Sequence, residues 1–177
     1  MIYPPDTFVD VAALERFGVS TGVFTLMNSK WGWPIAESIH FTGLCLLMAS
    51  VGMFDLRMLG VARGVRMSAL HRMVPVGVAG WLMCLATGAL FFLTAPGQYL
   101  YNPAWQTKMA LMAVAGVNMV AFYLTTARSV GAMGPDDKAP VAARVIAAVS
   151  LACWLGVIVG GRLITFFRPP YHWCLWC

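Results

Sequence analysis

Four ionisable residues stand inside otherwise apolar stretches of this chain: Glu37, His40, Lys108 and Arg162. Charge at membrane depth is costly, so such residues mark sites or structural ion pairs. Glu37 and His40 are three apart, a spacing that places both on one side of a helix. An imidazole can ligate haem iron axially while Lys108 and Arg162 hold two propionates. The same cations suit a quinone head group or an anionic lipid. A purely structural role stands beside these readings, with Lys108 and Arg162 snorkelling to the interface and Glu37 neutralising one of them. A Glu37 ion pair with Lys108 or Arg162 is expected.

A second candidate lies in the tail His172-Trp-Cys174-Leu-Trp-Cys177. No His follows Cys177, so this is not a c-type haem attachment sequence. In an oxidising compartment the two thiols can join as a disulfide. With His172 and neighbouring methionines they could instead hold Cu(I), which favours soft sulfur ligands. The candidate metal ligands are therefore His40, His172, Cys174 and Cys177. A haem on His40 needs a second ligand from Met48, Met109, Met112 or His172. His71 is on the order of 20–25 Å away by helical rise and cannot share its iron.

These residues must be positioned by elements that tolerate lipid. The 177 residues are 60% hydrophobic and 11% charged, against about 25% charged in a soluble domain. Four stretches, about residues 34–56, 70–94, 104–126 and 141–167, reach the roughly 20 apolar residues that a spanning helix needs. Backbone satisfaction in lipid demands that they be helices. The expected fold is an all-α integral membrane four-helix bundle (residues 34–167), preceded by an interfacial arm (residues 1–33) and followed by the aromatic, Cys-containing tail (residues 168–177). Pro34, Pro103 and Pro140 sit where helices begin, and Pro75 should start or kink the second span within its first turn.

Loop charge sets the orientation. Arg57, Arg63, Arg66 and Arg72 flank the first connection and Arg128, Lys138 and Arg144 the third, while residues 95–107 carry no charge. The positive-inside rule then makes the first and third connections cytoplasmic and both termini periplasmic. Trp31, Trp33, Tyr99, Tyr101, Trp105, Tyr171, Trp173 and Trp176 gather at the outer interface under the same topology. Met1-Ile-Tyr-Pro-Pro-Asp lacks the basic start of a cleavable signal, so the first span is expected to act as its own insertion signal. By rise arithmetic Glu37, His40, Lys108 and Arg162 share a depth of roughly 5–10 Å below the outer surface.

In the arm, Phe8, Val9, Val11, Ala12, Leu14 and Phe17 separate from Asp10, Glu15 and Arg16, as in a helix lying on the outer surface or docking on a partner; a loosely ordered arm is the other reading. Cys45, Cys84 and Cys153 read as small packing residues. Gly156-x-x-x-Gly160-Gly161 permits close helix approach, within the bundle or towards another subunit. Asp55, Arg57, His71 and Arg72 read as an interfacial ion-pair network fixing the first loop.

The strings WPIAESIHFTGLCLLMASVGMFDLRMLG, NPAWQTKMALMAVAGVNM and LGVIVGGRLITF resemble an uncharacterised family of small bacterial four-helix membrane proteins, a domain of unknown function. The resemblance spans residues 33–167 and includes Glu37, His40, Asp55, Arg57, Lys108 and Arg162. It implies a multi-pass protein of the bacterial inner membrane. More distantly the layout is similar to copper-resistance D-type and cytochrome b561-like membrane proteins.

The expectation is an integral membrane subunit or small redox carrier working with other membrane subunits, with a haem b or quinone site near the outer face and no catalytic activity of its own. The alternatives are a copper-handling protein using the tail, a purely structural accessory subunit and a small transporter. Scattered basic residues without a run or patch make nucleic acid an improbable partner. The lipid bilayer is the certain one.

Overall fold

The structure, a computed structural model, describes residues 9–61 and 63–167. Its helices are α1 (Val11–Ser20), α2 (Val23–Met27), α3 (Gly32–Leu59), α4 (Met67–His71), α5 (Val74–Thr94), α6 (Pro96–Leu100), α7 (Pro103–Thr125), α8 (Ala127–Gly131) and α9 (Val141–Leu163), with a 3-10 turn at Ile164–Phe166. No strand occurs among the described residues. Four lengths are long and apolar enough to cross a membrane: Gly32–Leu59, Met67–Thr94, Pro103–Thr125 and Val141–Phe166. The chain is an all-α membrane-spanning bundle. Its outward faces suit lipid: Val117 and Leu124 are 71% and 80% exposed.

Local chemistry sets the helix ends. α3 runs three residues beyond its expected end and stops at Gly60, which takes φ 94° and returns its N–H to the Arg57 carbonyl, a left-handed stop that suits glycine. The second span is two helices, because Pro75 has no N–H to give the His71 carbonyl. α4 therefore ends at His71, and α5 begins with Pro75 in its first turn.

Asn102 caps α7 by accepting from the backbone N–H groups of Ala104 (3.0 Å) and Trp105 (3.3 Å). Its Nδ2 donates to the carbonyls of Ile164 (2.9 Å) and Phe167 (3.0 Å). One fully buried amide thus holds the start of α7 against the end of α9.

The long helices form two antiparallel hairpins, α3 with α5 and α7 with α9, joined along α3 and α9. Small residues make both hairpins tight. A Cβ on Gly80 would lie 2.5 Å from the Gly43 carbonyl, and one on Gly77 would lie 2.8 Å from the Ser50 hydroxyl. Gly156 and Gly160 receive Leu111 and Lys108 of α7, so the glycine face of α9 is used inside the bundle. At the aromatic end α5 and α7 meet through the stacked rings of Phe92 and Trp105, 5.7 Å between centroids.

The N-terminal arm is a helix and docks on its own bundle. Asp10 caps α1 by accepting from the Ala13 N–H at 2.9 Å, and α1 packs on α5 and α6. Gly18 lies against the Leu93 carbonyl, and Val11 is buried. Gly22, at φ 74°, turns the chain into α2.

The Arg-rich end holds a buried apolar cluster that includes Met58, Met67, Leu70, Phe122, Val130 and Ala143. The expected ion-pair network there is replaced by a different device. Arg57 is fully buried and donates to three backbone carbonyls: Nε to Val65 (2.8 Å), one terminal nitrogen to Asp137 (3.1 Å) and the other to Gly134 (3.0 Å). A single guanidinium ties the first connection to the third. Asp55, two residues earlier and so about 200° round the helix, has the Ser150 hydroxyl of α9 as polar neighbour. Among the described residues its Oδ2 has no hydrogen-bond partner.

Candidate functional site

The inward stripe of α3 includes Ala36, Gly43, Leu47 and Ser50, all buried. With about 100° of turn per residue, His40 falls at the edge of this stripe and Glu37 about 100° off its centre. The structure follows that arithmetic. His40 is half-buried against α5, whereas Glu37 is exposed. Among the described residues the ion pair present joins Arg16 to Asp10 at 3.6 Å, so the expected Glu37 pair with Lys108 or Arg162 does not form.

Arg162 is also turned outward. The buried stripe of α9 is Ala143, Ala147, Ser150, Cys153, Val157 and Gly160, and two residues beyond Gly160 is about 200° of rotation. The Arg162 guanidinium lies over the Phe166 ring, 5.4 Å from its centroid. The four expected site residues therefore separate into two inward groups, His40 and Lys108, and two outward ones.

His40 is held by α5. Its Nδ1 lies 2.7 Å from Thr87 Oγ1, and the Thr87 hydroxyl donates back to the Met83 carbonyl at 2.7 Å. A hydroxyl has one proton to give. With that proton on Met83, the neutral imidazole carries its own proton on Nδ1 and donates it to Thr87. Nε2 is left with a lone pair. Around the ring, Phe91 stands edge-on at 5.7 Å between centroids, and a Cβ on Gly88 would lie 4.0 Å from His40 Cε1. Cys84 donates its thiol proton to the His40 backbone carbonyl at 3.4 Å.

Lys108 reaches this group from α7. Its stem lies on the glycine pair of α9: a Cβ on Gly160 would meet Lys108 Cβ at 3.2 Å, and one on Gly161 would meet Nζ at 3.6 Å. From there the ammonium is within electrostatic range of both His40 and Cys84. No carboxylate stands within ion-pair distance of it among the described residues. The result is an imidazole and a lysine amine in one half of the bundle, contributed by both hairpins, with no carboxylate paired to either among the described residues.

Thr87 and Cys84 were not visible as site residues in the sequence. A signal existed, since a Thr three residues after a Cys in a span places two polar atoms on one helix face. Cys153 is the buried packing residue expected, but Cys45 is exposed and Cys84 serves the site. The tail residues His172, Cys174 and Cys177 lie outside the described residues. Among the described residues no three His, Cys, Asp or Glu side chains gather as a metal site. His71 is at the other end of α3, beside Phe54, so it does not join His40. Comparison of the chain with family models, with curated proteins and with solved structures finds no match.

Proposed function

We propose that this membrane-spanning chain is a small redox carrier, or the subunit of a larger membrane assembly, whose His40–Lys108 site takes the head group of a quinone. The observation that carries this reading is the 2.7 Å contact of His40 Nδ1 with a Thr87 hydroxyl that also reaches the Met83 carbonyl, an arrangement that favours Nε2 as the acceptor. In this reading His40 Nε2 accepts the hydrogen bond of a quinol hydroxyl and takes its proton. Lys108 offers an N–H donor and positive charge to a ring oxygen or to the anion formed as the proton leaves. Thr87 keeps the imidazole in the tautomer that both tasks need, a supporting contact of the kind that fixes metal-ligating histidines.

The same tautomer favours a second reading, haem b. Nε2 with Nδ1–H donated to an oxygen is the arrangement of an axial ligand, and Lys108 could hold a propionate. When bound, the haem would supply one-electron transfer. Among the described residues His40 is the histidine that fits an axial position, and a second ligand would have to come from a methionine such as Met109 or Met112. The quinone reading needs no second ligand and takes precedence. The test is an absorption spectrum of the protein isolated from its native membrane, followed by solvent extraction and chromatography. Extracted quinone without a Soret band supports the first reading and a Soret band the second. A colourless, quinone-free protein would reject both.

A further inference from the structure

At the Arg-rich end, far from His40, α3 and α7 are not packed side by side. The gap between them is a half-open groove of about 410 Å³ lined by α3, α4, α7 and α8. Its size is within the roughly 300–1,000 Å³ of small-ligand sites. The wall is aromatic: Phe54 and Phe122 meet edge to face at 5.6 Å, and Tyr123 adjoins Phe122 at 5.3 Å. Met67 and Val130, each 1% exposed, form the floor. Besides the Tyr123 hydroxyl on α7, the polar side chains of the lining are Ser68, His71 and Arg128, all exposed and carried by α4 and α8, the short helices at this end. None of the described acidic residues lines it.

An apolar wall at membrane depth, with a cation, an imidazole and a hydroxyl at the interfacial end, is complementary to one kind of molecule. It would be amphiphilic, with an acyl chain against the rings and a phosphate at the rim. We infer that this groove is a binding site for an acidic phospholipid, its phosphate held by Arg128, His71 and Ser68 and its first acyl segment lying on Phe54, Phe122 and Tyr123. Basic pockets between spanning helices recognise acidic head groups in this way, and a guanidinium matches phosphate with paired N–H donors. The inference is independent of what His40 binds.

The full chain, purified in mild detergent, is offered phosphatidylglycerol, phosphatidylcholine or inorganic phosphate, and retained adducts are counted by native mass spectrometry. The expected result is one phosphatidylglycerol retained in preference to phosphatidylcholine. The double variant Arg128→Gln/His71→Gln should bind it at least about tenfold more weakly, the loss of one charge-assisted contact. Arg128→Lys keeps the charge and should recover part of the binding, which separates the site from a folding defect. Arg63→Gln/Lys138→Gln, at the same end but outside the groove, should retain the lipid as the wild type does. Equal retention of both lipids, an Arg128→Gln/His71→Gln protein that binds like the wild type, or displacement of the lipid by inorganic phosphate would each overturn the proposal.

Discussion

His40 Nδ1 lies 2.7 Å from Thr87 Oγ1, and the same hydroxyl reaches the backbone carbonyls of Met83 at 2.7 Å and Cys84 at 3.3 Å. With the hydroxyl proton on the backbone, this pair holds the imidazole proton on Nδ1. Thr87→Val keeps the shape and removes the oxygen, so it should release the tautomer. Nitrogen-15 spectra of histidine-labelled protein at a pH where His40 is neutral should show Nδ1–H in the wild type and a mixture in Thr87→Val. Ligand retention should fall about 10–100-fold, the usual effect of losing such a supporting contact, and Thr87→Ser should restore it. A wild type with its proton on Nε2 would contradict the assignment.

Arg57 gives a prediction about stability. Each bond from a charged donor contributes about 1.5–3 kcal/mol, but removing the residue also removes a buried charge. Arg57→Met should therefore cost on the order of 2–4 kcal/mol net. Arg57→Lys should be only partly tolerated, because a single ammonium does not reproduce the guanidinium fork that reaches Val65, Gly134 and Asp137. Unfolding in detergent by denaturant measures both. An Arg57→Met protein as stable as the wild type would mean the two connections are held by something else.

The two glycine seams should respond unequally. At Gly80 a Cβ meets backbone, the Gly43 carbonyl at 2.5 Å, whereas at Gly156 it meets the end of a flexible side chain, Leu111 Cδ1 at 2.6 Å. Gly80→Ala should cost about 1–3 kcal/mol by forcing the helices apart, and Gly156→Ala less than about 1 kcal/mol. Thermal melts of the two variants provide the check. The reverse order would place the tight crossing in the other hairpin.

Much of this was legible in the sequence. The four apolar lengths and the prolines at helix starts are local signals, and the helices obey them. Azimuth was not legible. Glu37 and His40 share a side of α3 only loosely, and which flank faces α5 depends on Gly43 and Gly80 allowing the close crossing. Arg162 was matched to the site by depth, but two residues of rotation beyond Gly160 turn it outward. The Arg57 clamp was illegible for another reason. Its partners are carbonyls of residues 65, 134 and 137, and backbone acceptors leave no trace in residue types.

The expected orientation rests on seven basic residues, Arg57, Arg63, Arg66, Arg72, Arg128, Lys138 and Arg144, at or beside the first and third connections and none in the second. Reporter fusions at Gly97 and Gly134 should lie on opposite sides of the membrane, Gly97 periplasmic and Gly134 cytoplasmic. The opposite pattern would place the His40 site at the cytoplasmic face.

The most direct test of the central claim is the quinone and haem content, per protein, of the wild type and four single variants purified in parallel. The two-residue site predicts that His40→Ala and Lys108→Gln lose most of whichever group the wild type carries. Glu37→Gln and Arg162→Gln, turned away from the site, should keep it. Equal content in all five proteins, or loss in Glu37→Gln or Arg162→Gln with His40→Ala unaffected, would contradict the account.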